Sequence, residues 1–139
     1  MPERTFVILK PSCVNRGLMG EVIARFERKG LRLVQAKMKQ ITEEEAKKLY
    51  SIHEGKPFFN DLIKVITSSR VMLMIWEGRE AVNVVRKLIG ATDPVKAEPG
   101  TIRGDYGLDI TDNLIHASDS EESYEREHRI FFTEEELNQ

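Results

Sequence analysis

The amino-acid sequence predicts an α+β sandwich, in which helices pack on one face of a four-stranded antiparallel sheet. Short apolar, partly β-branched runs alternate along the chain with longer segments whose apolar residues recur at helical spacing. The chain has 139 residues, of which 40% are hydrophobic and 32% charged. This length and balance are those of one globular domain with a hydrophobic core, and we expect it to span residues 1–139.

The N-terminal segments predict a strand, a helix and a second strand. Thr5–Leu9 is a short apolar run that ends at Lys10–Pro11, as expected of a buried strand stopped by proline. In Leu18–Lys29 the apolar residues recur at helical spacing, and Gly30 suits the residue that follows a helix. Between residues 34 and 38 apolar side chains alternate with polar ones, which is the pattern of a half-exposed strand.

A helix pair, a third strand and a further helix follow. The segment Thr42–Glu45 has the composition of a capping box and begins a helix that reaches about His53. A second, shorter helix begins at Pro57, because proline suits the first helical turn. Val71–Trp76 is the most apolar strand candidate of the chain, and the helical spacing resumes over Arg79–Ile89.

Regular patterning fades between residues 91 and 115, where glycine and proline are frequent. A weakly structured segment of this length within a compact domain usually forms a functional loop. Beyond it, Ser120–Glu127 predicts one or two polar helical turns, Arg129–Phe132 a last short strand, and residues 133–139 a polar tail. The resulting order of elements is that of a βαββαβ, ferredoxin-like sandwich.

Composition argues against several classes of function. The formal net charge of -2 provides no general attraction to nucleic acid or to an anionic membrane. No segment approaches the roughly 20 apolar residues that span a bilayer, and the N-terminal residues lack the pattern of a signal peptide. The single cysteine, Cys13, cannot form an internal disulfide. We therefore expect a cytoplasmic protein without a membrane partner or a specific nucleic-acid partner.

One histidine has surroundings that suit a nucleophile, although a histidine in a loop of mixed polarity is by itself more often a surface or structural residue. His116 lies in the octet 113–120, with an amide three residues before it and small residues after it that leave room for a bulky electrophile. Imidazole can be both unprotonated and nucleophilic near neutral pH. The other two histidines, His53 and His128, lie in charged segments, and we interpret them as structural or surface residues. Neither has a histidine or cysteine at a metal-ligand spacing, so a zinc site is not expected.

Two common nucleotide-binding signatures are absent from the sequence. Neither G-x-x-x-x-G-K-[ST] nor G-x-G-x-x-G occurs, so side chains would have to hold any phosphates. The cationic and hydroxyl candidates, at element ends, on a helix and in the irregular loop, are Lys10, Arg86, Thr92 and Arg103. Phe58 stands beside Phe59, and the outward-facing ring of the two is a candidate stacking surface for a base.

Together these motifs resemble those of the nucleoside diphosphate kinase family, and the similarity extends over nearly the whole chain. The matching segments are Leu9–Pro11, Arg16–Leu18, Arg25–Phe26, Pro57–Phe59, Glu77–Gly78, Gly90–Thr92, Pro99–Asp105, Asn113–Asp119 and Ser123–Glu127. One departure is visible: members commonly have aspartate after the Lys-Pro pair, whereas this chain has Ser12. The resemblance implies a ferredoxin-like core. It also implies ping-pong transfer of a phosphoryl group from a nucleoside triphosphate to a nucleoside diphosphate, with broad base and sugar tolerance.

The same resemblance implies roles for individual residues. His116 corresponds to the nucleophile that forms a phosphohistidine, Glu127 to the carboxylate that orients its ring, and Ser118 to the residue that supports that carboxylate or the phosphohistidine. Phe58 corresponds to the base-stacking residue. The residues that resemble the family's phosphate and sugar ligands are Lys10, Tyr50, Arg86, Thr92, Arg103 and Asn113.

The resemblance also implies a metal and an assembly. Mg²⁺ would arrive on the nucleotide phosphates rather than in a dedicated protein site, and the chain would form a homo-oligomer, with a hexamer favoured over a tetramer. Two other hypotheses stay open. One is a nucleotide-binding or nucleic-acid-binding module without catalysis, and the other is a phosphohistidine relay that uses the same His116 but passes its phosphate to a protein.

Overall fold

Four antiparallel strands form the sheet in this computed structural model, which describes residues 2–138. The strands are β1 (Glu3–Leu9), β2 (Arg32–Lys39), β3 (Val71–Gly78) and β4 (Ile115–Ala117). The helices are α1 (Pro11–Asn15), α2 (Met19–Lys29), α3 (Glu43–Leu49), α4 (Phe59–Ile66), α5 (Ala81–Ile89), α6 (Ile102–Tyr106), α7 (Glu121–Phe131) and α8 (Glu134–Leu137), with a 3-10 turn at Ser51–His53. The sheet order is β2-β3-β1-β4, which confirms the predicted ferredoxin-like α+β fold.

Helices cover both faces of the sheet, so the prediction that they pack on one face was wrong. The central strands β1 and β3 pair along nearly their whole length, and they contain the apolar runs Phe6–Leu9 and Val71–Trp76, which are typical of strands covered on both sides. On one face Trp76 packs edge-on against Phe26 of α2, with a ring separation of 5.1 Å, and α5 completes that layer. On the other face Phe6 stacks on Phe131 of α7 at 5.5 Å, beside α3 and α4.

The fourth strand lies at β4, so the predicted strand over Arg129–Phe132 was wrong. Helix α7 continues through Phe131, because Tyr124, His128 and Phe131 are buried at helical spacing against the sheet. The segment assigned as a polar tail forms α8, which begins with a capping box of Thr133 and Glu136. Strand β4 has only three residues, pairs with Val7–Leu9 of β1, and carries His116.

Other predicted boundaries agree with the structure. Thr42 and Glu45 form the capping box that begins α3, and Gly30 ends α2 with a φ of 106°, in the left-handed region that glycine adopts without strain. The loop predicted over residues 91–115 contains the short helix α6. A Cβ at Gly104 of that helix would lie 2.0 Å from the Glu98 carbonyl oxygen, so the loop closes only over glycine. Among the helices of residues 2–138, none has the length and apolar character needed to cross a membrane.

Candidate active site

A cleft of about 420 Å³ lies where the ends of β1 and β4 meet α5, α6, α7 and the α3–α4 connection. Nine of the ten side chains predicted from sequence line this cleft: Lys10, Tyr50, Phe58, Arg86, Thr92, Arg103, Asn113, His116 and Glu127. The tenth, Ser118, is buried directly behind Glu127. A second, larger groove of about 1100 Å³ between the start of β1 and α7 contains none of the ten. The tertiary fold therefore brings the whole predicted set together.

His116 is oriented by a buried carboxylate. Its Nε2 lies 2.9 Å from Oε1 of Glu127, which also accepts a hydrogen bond from the Ser118 hydroxyl at 3.0 Å. Arg126 donates to the other carboxylate oxygen at 3.3 Å. Because a carboxylate accepts hydrogen bonds, Nε2 is the ring nitrogen that carries hydrogen, and a neutral ring then has its lone pair on Nδ1. No side chain or backbone group of residues 2–138 forms a hydrogen bond with Nδ1.

Aromatic rings hold the imidazole from two directions. Tyr50 meets it edge-to-face at a ring separation of 6.0 Å, and Phe6 does so at 6.3 Å. The His116 side chain remains 18% exposed, on the side that faces the cleft. The ring is therefore fixed in orientation and still accessible to a ligand.

The backbone turns sharply just before His116. Leu114 has a φ of 75°, and the Ile115 N–H donates to the Asn113 carbonyl at 2.9 Å, so residues 113–115 form the rare γ-turn with positive φ. A buried, branched side chain in this conformation is strained, and such strain gathers at functional sites. The turn lets Asn113 present its amide to the cleft within three residues of the histidine.

Lys10 is a buried cation at the end of β1. Its side chain is 4% exposed, and its ammonium donates to Oδ1 of Asn113 at 2.8 Å. The Asn113 amide in turn donates to the Thr92 carbonyl at 2.9 Å, which connects the irregular loop to β1. Burial, with a smaller contribution from the nearby Arg103 charge, lowers the pKa of Lys10 from 10.5 to about 7.

Arg103 holds the loops of the site together. It is 4% exposed and donates to the carbonyl oxygens of Ile115 at 2.6 Å, Gly90 at 3.1 Å and Asn113 at 3.3 Å. Burial and the Arg86 charge lower its pKa to about 10. A guanidinium has five N–H groups, so two remain for an anion in the cleft. Arg86, exposed on α5, adds a third cation and donates to the Ala117 carbonyl at 3.4 Å.

Tyr50 contributes a buried hydroxyl to the same region. The side chain is 6% exposed, and its oxygen has no hydrogen-bond partner within the described part of the chain. Burial raises its pKa, with a further contribution from the negative charge of Glu127. The hydroxyl is therefore a neutral donor without a partner, which suits an anionic ligand.

Apolar side chains form the outer end of the cleft. Phe58 is 41% exposed there, and Ile110 from the irregular loop is 55% exposed. Ile110 was not found by sequence reasoning, because a single apolar residue in an irregular segment has no periodicity to mark it. His53, interpreted above as structural or surface, also lines the cleft, with its ring edge-on to Phe58 at 5.2 Å. Burial and the charge of Lys56 lower its pKa.

The cleft thus combines an accessible imidazole nitrogen, three cations, a free hydroxyl and an apolar slot. A nucleophilic nitrogen beside converging cations suits transfer of an anionic phosphoryl group, and exposed apolar side chains at the far end suit a planar base. His128, by contrast, is buried away from the cleft, where its ring stacks on Tyr124 at 4.3 Å.

Comparison with known proteins agrees with this chemistry. A family model described as nucleoside diphosphate kinase matches residues 3–137. The nucleoside diphosphate kinase of Hyperthermus butylicus is 62% identical over 135 residues, covering 97% of this chain and 95% of the relative. That of Pyrococcus furiosus is 60% identical over 138 residues, covering 97% and 86%.

Solved structures show the same likeness in three dimensions. The structure of a halophilic nucleoside diphosphate kinase from Halobacterium salinarum, in complex with CDP, superposes with a TM-score of 0.95 at 51% identity. The match covers 98% of this chain and 91% of that one. The nucleoside diphosphate kinase of Aquifex aeolicus superposes with a TM-score of 0.93 at 37% identity, covering 98% and 99%.

Proposed function

Because the chain belongs to the nucleoside diphosphate kinase family, we propose that His116 is the residue that carries the phosphoryl group in its reaction. The enzyme transfers the terminal phosphoryl group of a nucleoside triphosphate to a nucleoside diphosphate by a ping-pong mechanism. The observation that supports His116 most directly is the 2.9 Å contact between its Nε2 and Glu127, which leaves Nδ1 as the nucleophile.

In the first half-reaction, Nδ1 of His116 attacks the terminal phosphorus, and the bond from that phosphorus to the bridging oxygen breaks. The nucleoside diphosphate leaves with the bonding electron pair, and the imidazole ring gains positive charge. Glu127 stabilises that charge through Nε2, while Ser118 keeps the carboxylate in place. The second half-reaction is the reverse, with another nucleoside diphosphate as the acceptor.

The cations of the cleft stabilise the transferring group. Phosphoryl transfer proceeds through a loose transition state, so positioning and charge stabilisation contribute most of the acceleration. We assign Arg86 and Arg103 to the phosphates, since a planar guanidinium binds two phosphate oxygens at once. Lys10 acts as a point charge, and the unpartnered hydroxyl of Tyr50 donates to the same group.

The remaining polar residues hold the rest of the nucleotide. Asn113, whose amide already contacts Lys10 and the Thr92 carbonyl, is assigned to the sugar and phosphates together with the Thr92 hydroxyl. Phe58 stacks on the base, and Ile110 closes the opposite side of the slot. Every base has a π-face, so this slot favours broad base tolerance. The CDP bound by the Halobacterium salinarum relative is consistent with a nucleotide in this cleft.

Kinases acting on nucleotides generally need a divalent cation, and we propose that here it is Mg²⁺ carried by the nucleotide phosphates. Within residues 2–138 no cluster of three or more histidine, cysteine or acidic side chains could hold a metal ion. The carboxylates of the cleft, Asp119 and Glu127, are bonded to Ser123 and His116. Mg²⁺ on the phosphates would neutralise part of their charge. Chelation should therefore stop turnover, and added Mg²⁺ should restore it.

We further propose that the enzyme is a homo-oligomer, with a hexamer favoured over a tetramer. Val95 and Leu108, in the loop between α5 and β4, are 74% and 85% exposed and lie outside the cleft. Large apolar side chains with such high exposure in a single chain are suited to burial in a contact between subunits. Sedimentation equilibrium should give six chains per particle, and the Leu108→Asp variant should dissociate. A parent protein that sediments as a monomer contradicts the proposal.

We also propose a single catalytic domain and a cytoplasmic location. Residues 1–139 form one catalytic domain, supported by apolar clusters on both faces of a single sheet and by a family match over residues 3–137. A cytoplasmic location is supported by the lone buried thiol of Cys13, since reducing compartments preserve free cysteines.

The experiment that tests the site is intact-mass analysis after mixing with Mg²⁺-ATP, followed by addition of GDP. We expect the mass of one acid-labile phosphoryl group on His116, and its discharge as GTP forms. His116→Ala should remain unmodified, whereas the control His128→Phe should be phosphorylated like the parent. No added mass on folded protein that binds ATP contradicts the assignment, and discharge only to a protein would indicate a relay.

A further inference from the structure

The end of β1 is connected to the segment before His116 by three hydrogen bonds. The Lys10 backbone N–H donates to the Leu114 carbonyl at 2.8 Å, and the Lys10 ammonium donates to the Asn113 amide oxygen at 2.8 Å. The third bond involves the residue farthest from His116 along this segment: the Ser12 hydroxyl donates to Oδ1 of Asp112 at 2.6 Å. The first two bonds place groups of the proposed site, whereas the residues of the third, Ser12 and Asp112, are not among the residues assigned to that site above.

The charges that face the Lys10 ammonium come from several elements. Arg103 of α6 opposes its protonation, whereas Asp112 and Asp109 favour it, and Asp112 contributes the larger part. Asp109 is engaged in its own turn, where Oδ1 accepts the backbone N–H groups of Thr111 and Asp112. The other titratable or charged groups of the cleft are Tyr50, His53, Arg86, His116, Asp119 and Glu127.

We propose that Asp112, held by the hydroxyl of Ser12, is a positioning residue for phosphoryl transfer, because it fixes the neighbouring Asn113 against Lys10 and places a negative charge on the same side of the cleft. The inference rests on the proposed role of Lys10. A serine hydroxyl can donate to Asp112, whereas an aspartate at position 12 would present a second carboxylate to the first. Ser12 and Asp112 therefore act as a pair in this chain.

The test compares the pH dependence of kcat/KM in four variants. In Asp112→Asn the alkaline limb of the profile, where kcat/KM falls as Lys10 loses its proton, should move to lower pH by about 0.5 unit. An ion pair in contact shifts a pKa by about 1–3 units, and the Asp112 carboxylate is farther from Lys10 than a contacting partner. Ser12→Ala should move the limb in the same direction by less, and Ser12→Thr should restore the parent profile. The control Glu134→Gln removes an exposed carboxylate from α8, which packs on β2 at the opposite edge of the sheet, and should leave the limb in place.

A second readout follows Lys10 without reference to activity. The Lys10 side chain can be titrated by NMR in ¹³C-lysine-labelled protein, with its signal assigned from its absence in Lys10→Arg. The pKa of Lys10 should fall in Asp112→Asn and in Ser12→Ala. If that pKa falls while the kinetic limb stays in place, the role of Lys10 in transfer fails and the Ser12–Asp112 pair stands.

An unchanged Lys10 titration in Asp112→Asn would overturn the inference, as would an equal loss of kcat/KM at every pH, the signature of a merely structural role. A fifth variant, which combines Ser12→Ala with Asp112→Asn, should shift the limb no further than Asp112→Asn alone, because Ser12 acts through Asp112. If the shift in the double variant equals the sum of the two single-variant shifts, the proposal that Ser12 acts through Asp112 is contradicted. If Asp112→Asn does not fold, the comparison of Ser12→Ala with Ser12→Thr decides the outcome.

Discussion

Replacing Lys10 by methionine should abolish efficient transfer and yet make the protein more stable. Methionine has a similar length and no charge, so it removes the buried ammonium without leaving a large cavity. Burial lowers the pKa of Lys10 from 10.5 to about 7, which means that the folded state binds this proton less tightly than the unfolded state does. The lysine is therefore a source of instability that the proposed function requires.

The magnitude follows from that pKa. One pKa unit corresponds to about 1.36 kcal/mol, so a fall from 10.5 to about 7 corresponds to about 5 kcal/mol. The variant also leaves the Asn113 amide oxygen without its partner at 2.8 Å, and an unpaired buried acceptor costs about 1–3 kcal/mol. We expect Lys10→Met to raise the free energy of unfolding at pH 7 by about 2–4 kcal/mol.

The pH dependence gives the sharper test. Between pH 7 and 10.5 the unfolded parent binds more protons at this site than the folded parent does, so the lysine's contribution makes parent stability rise with pH. The advantage of Lys10→Met should therefore shrink by about 1.4 kcal/mol per pH unit above pH 7. Urea unfolding at pH 7, 8 and 9 measures this at one fixed protein concentration, because the proposed assembly would also stabilise folded chains.

A matched control separates this effect from a general gain in hydrophobicity. Lys64 is exposed on α4, and Lys64→Met should change the free energy of unfolding by no more than about 0.5 kcal/mol at each pH. The reasoning is refuted if Lys10→Met is less stable than the parent at pH 7, or if its advantage does not change with pH.

Four further predictions concern the reaction. The alkaline limb of the kcat/KM profile should report a pKa of about 7 from Lys10. The alkaline limb of the kcat profile should lie at higher pH, because bound phosphates favour the charged ammonium of Lys10. Coincident limbs in the two profiles would contradict this prediction. In Glu127→Gln the amide can donate to Nε2 and favour the wrong tautomer, so stopped-flow phosphorylation should slow by at least about 100-fold. Phe58→Ala should weaken binding by about 1–3 kcal/mol for purines and pyrimidines alike in calorimetry, and loss for one base alone would exclude stacking. Tyr50→Phe removes an unpartnered buried hydroxyl, so thermal unfolding should show no loss of stability while kcat falls.

Local sequence patterns were sufficient to predict most elements of the fold. Several elements depend only on residues a few positions apart, so they can be recognised from the sequence. These are the apolar runs of β1 and β3, the capping box of Thr42 and Glu45, and the helical spacing of α2 and α5. The same locality explains the errors near the C-terminus. A strand of three residues has too few positions for an alternating pattern, and the apolar end of α7 resembles a strand when its pairing with the core is unknown.

The candidate residues of the site could likewise be found from the sequence, but their arrangement could not. The surroundings of His116 and the family resemblance indicated the candidate nucleophile and the candidate nucleotide-binding residues. Only the tertiary structure joins Nε2 of His116 to Glu127, buries Lys10 beside Arg103, places Ile110 in the same cleft as Phe58, and hydrogen-bonds Ser12 to Asp112 across 100 residues. Burial, tautomer and pKa depend on which distant groups the folded chain brings within a few ångströms, and no local pattern records those distances.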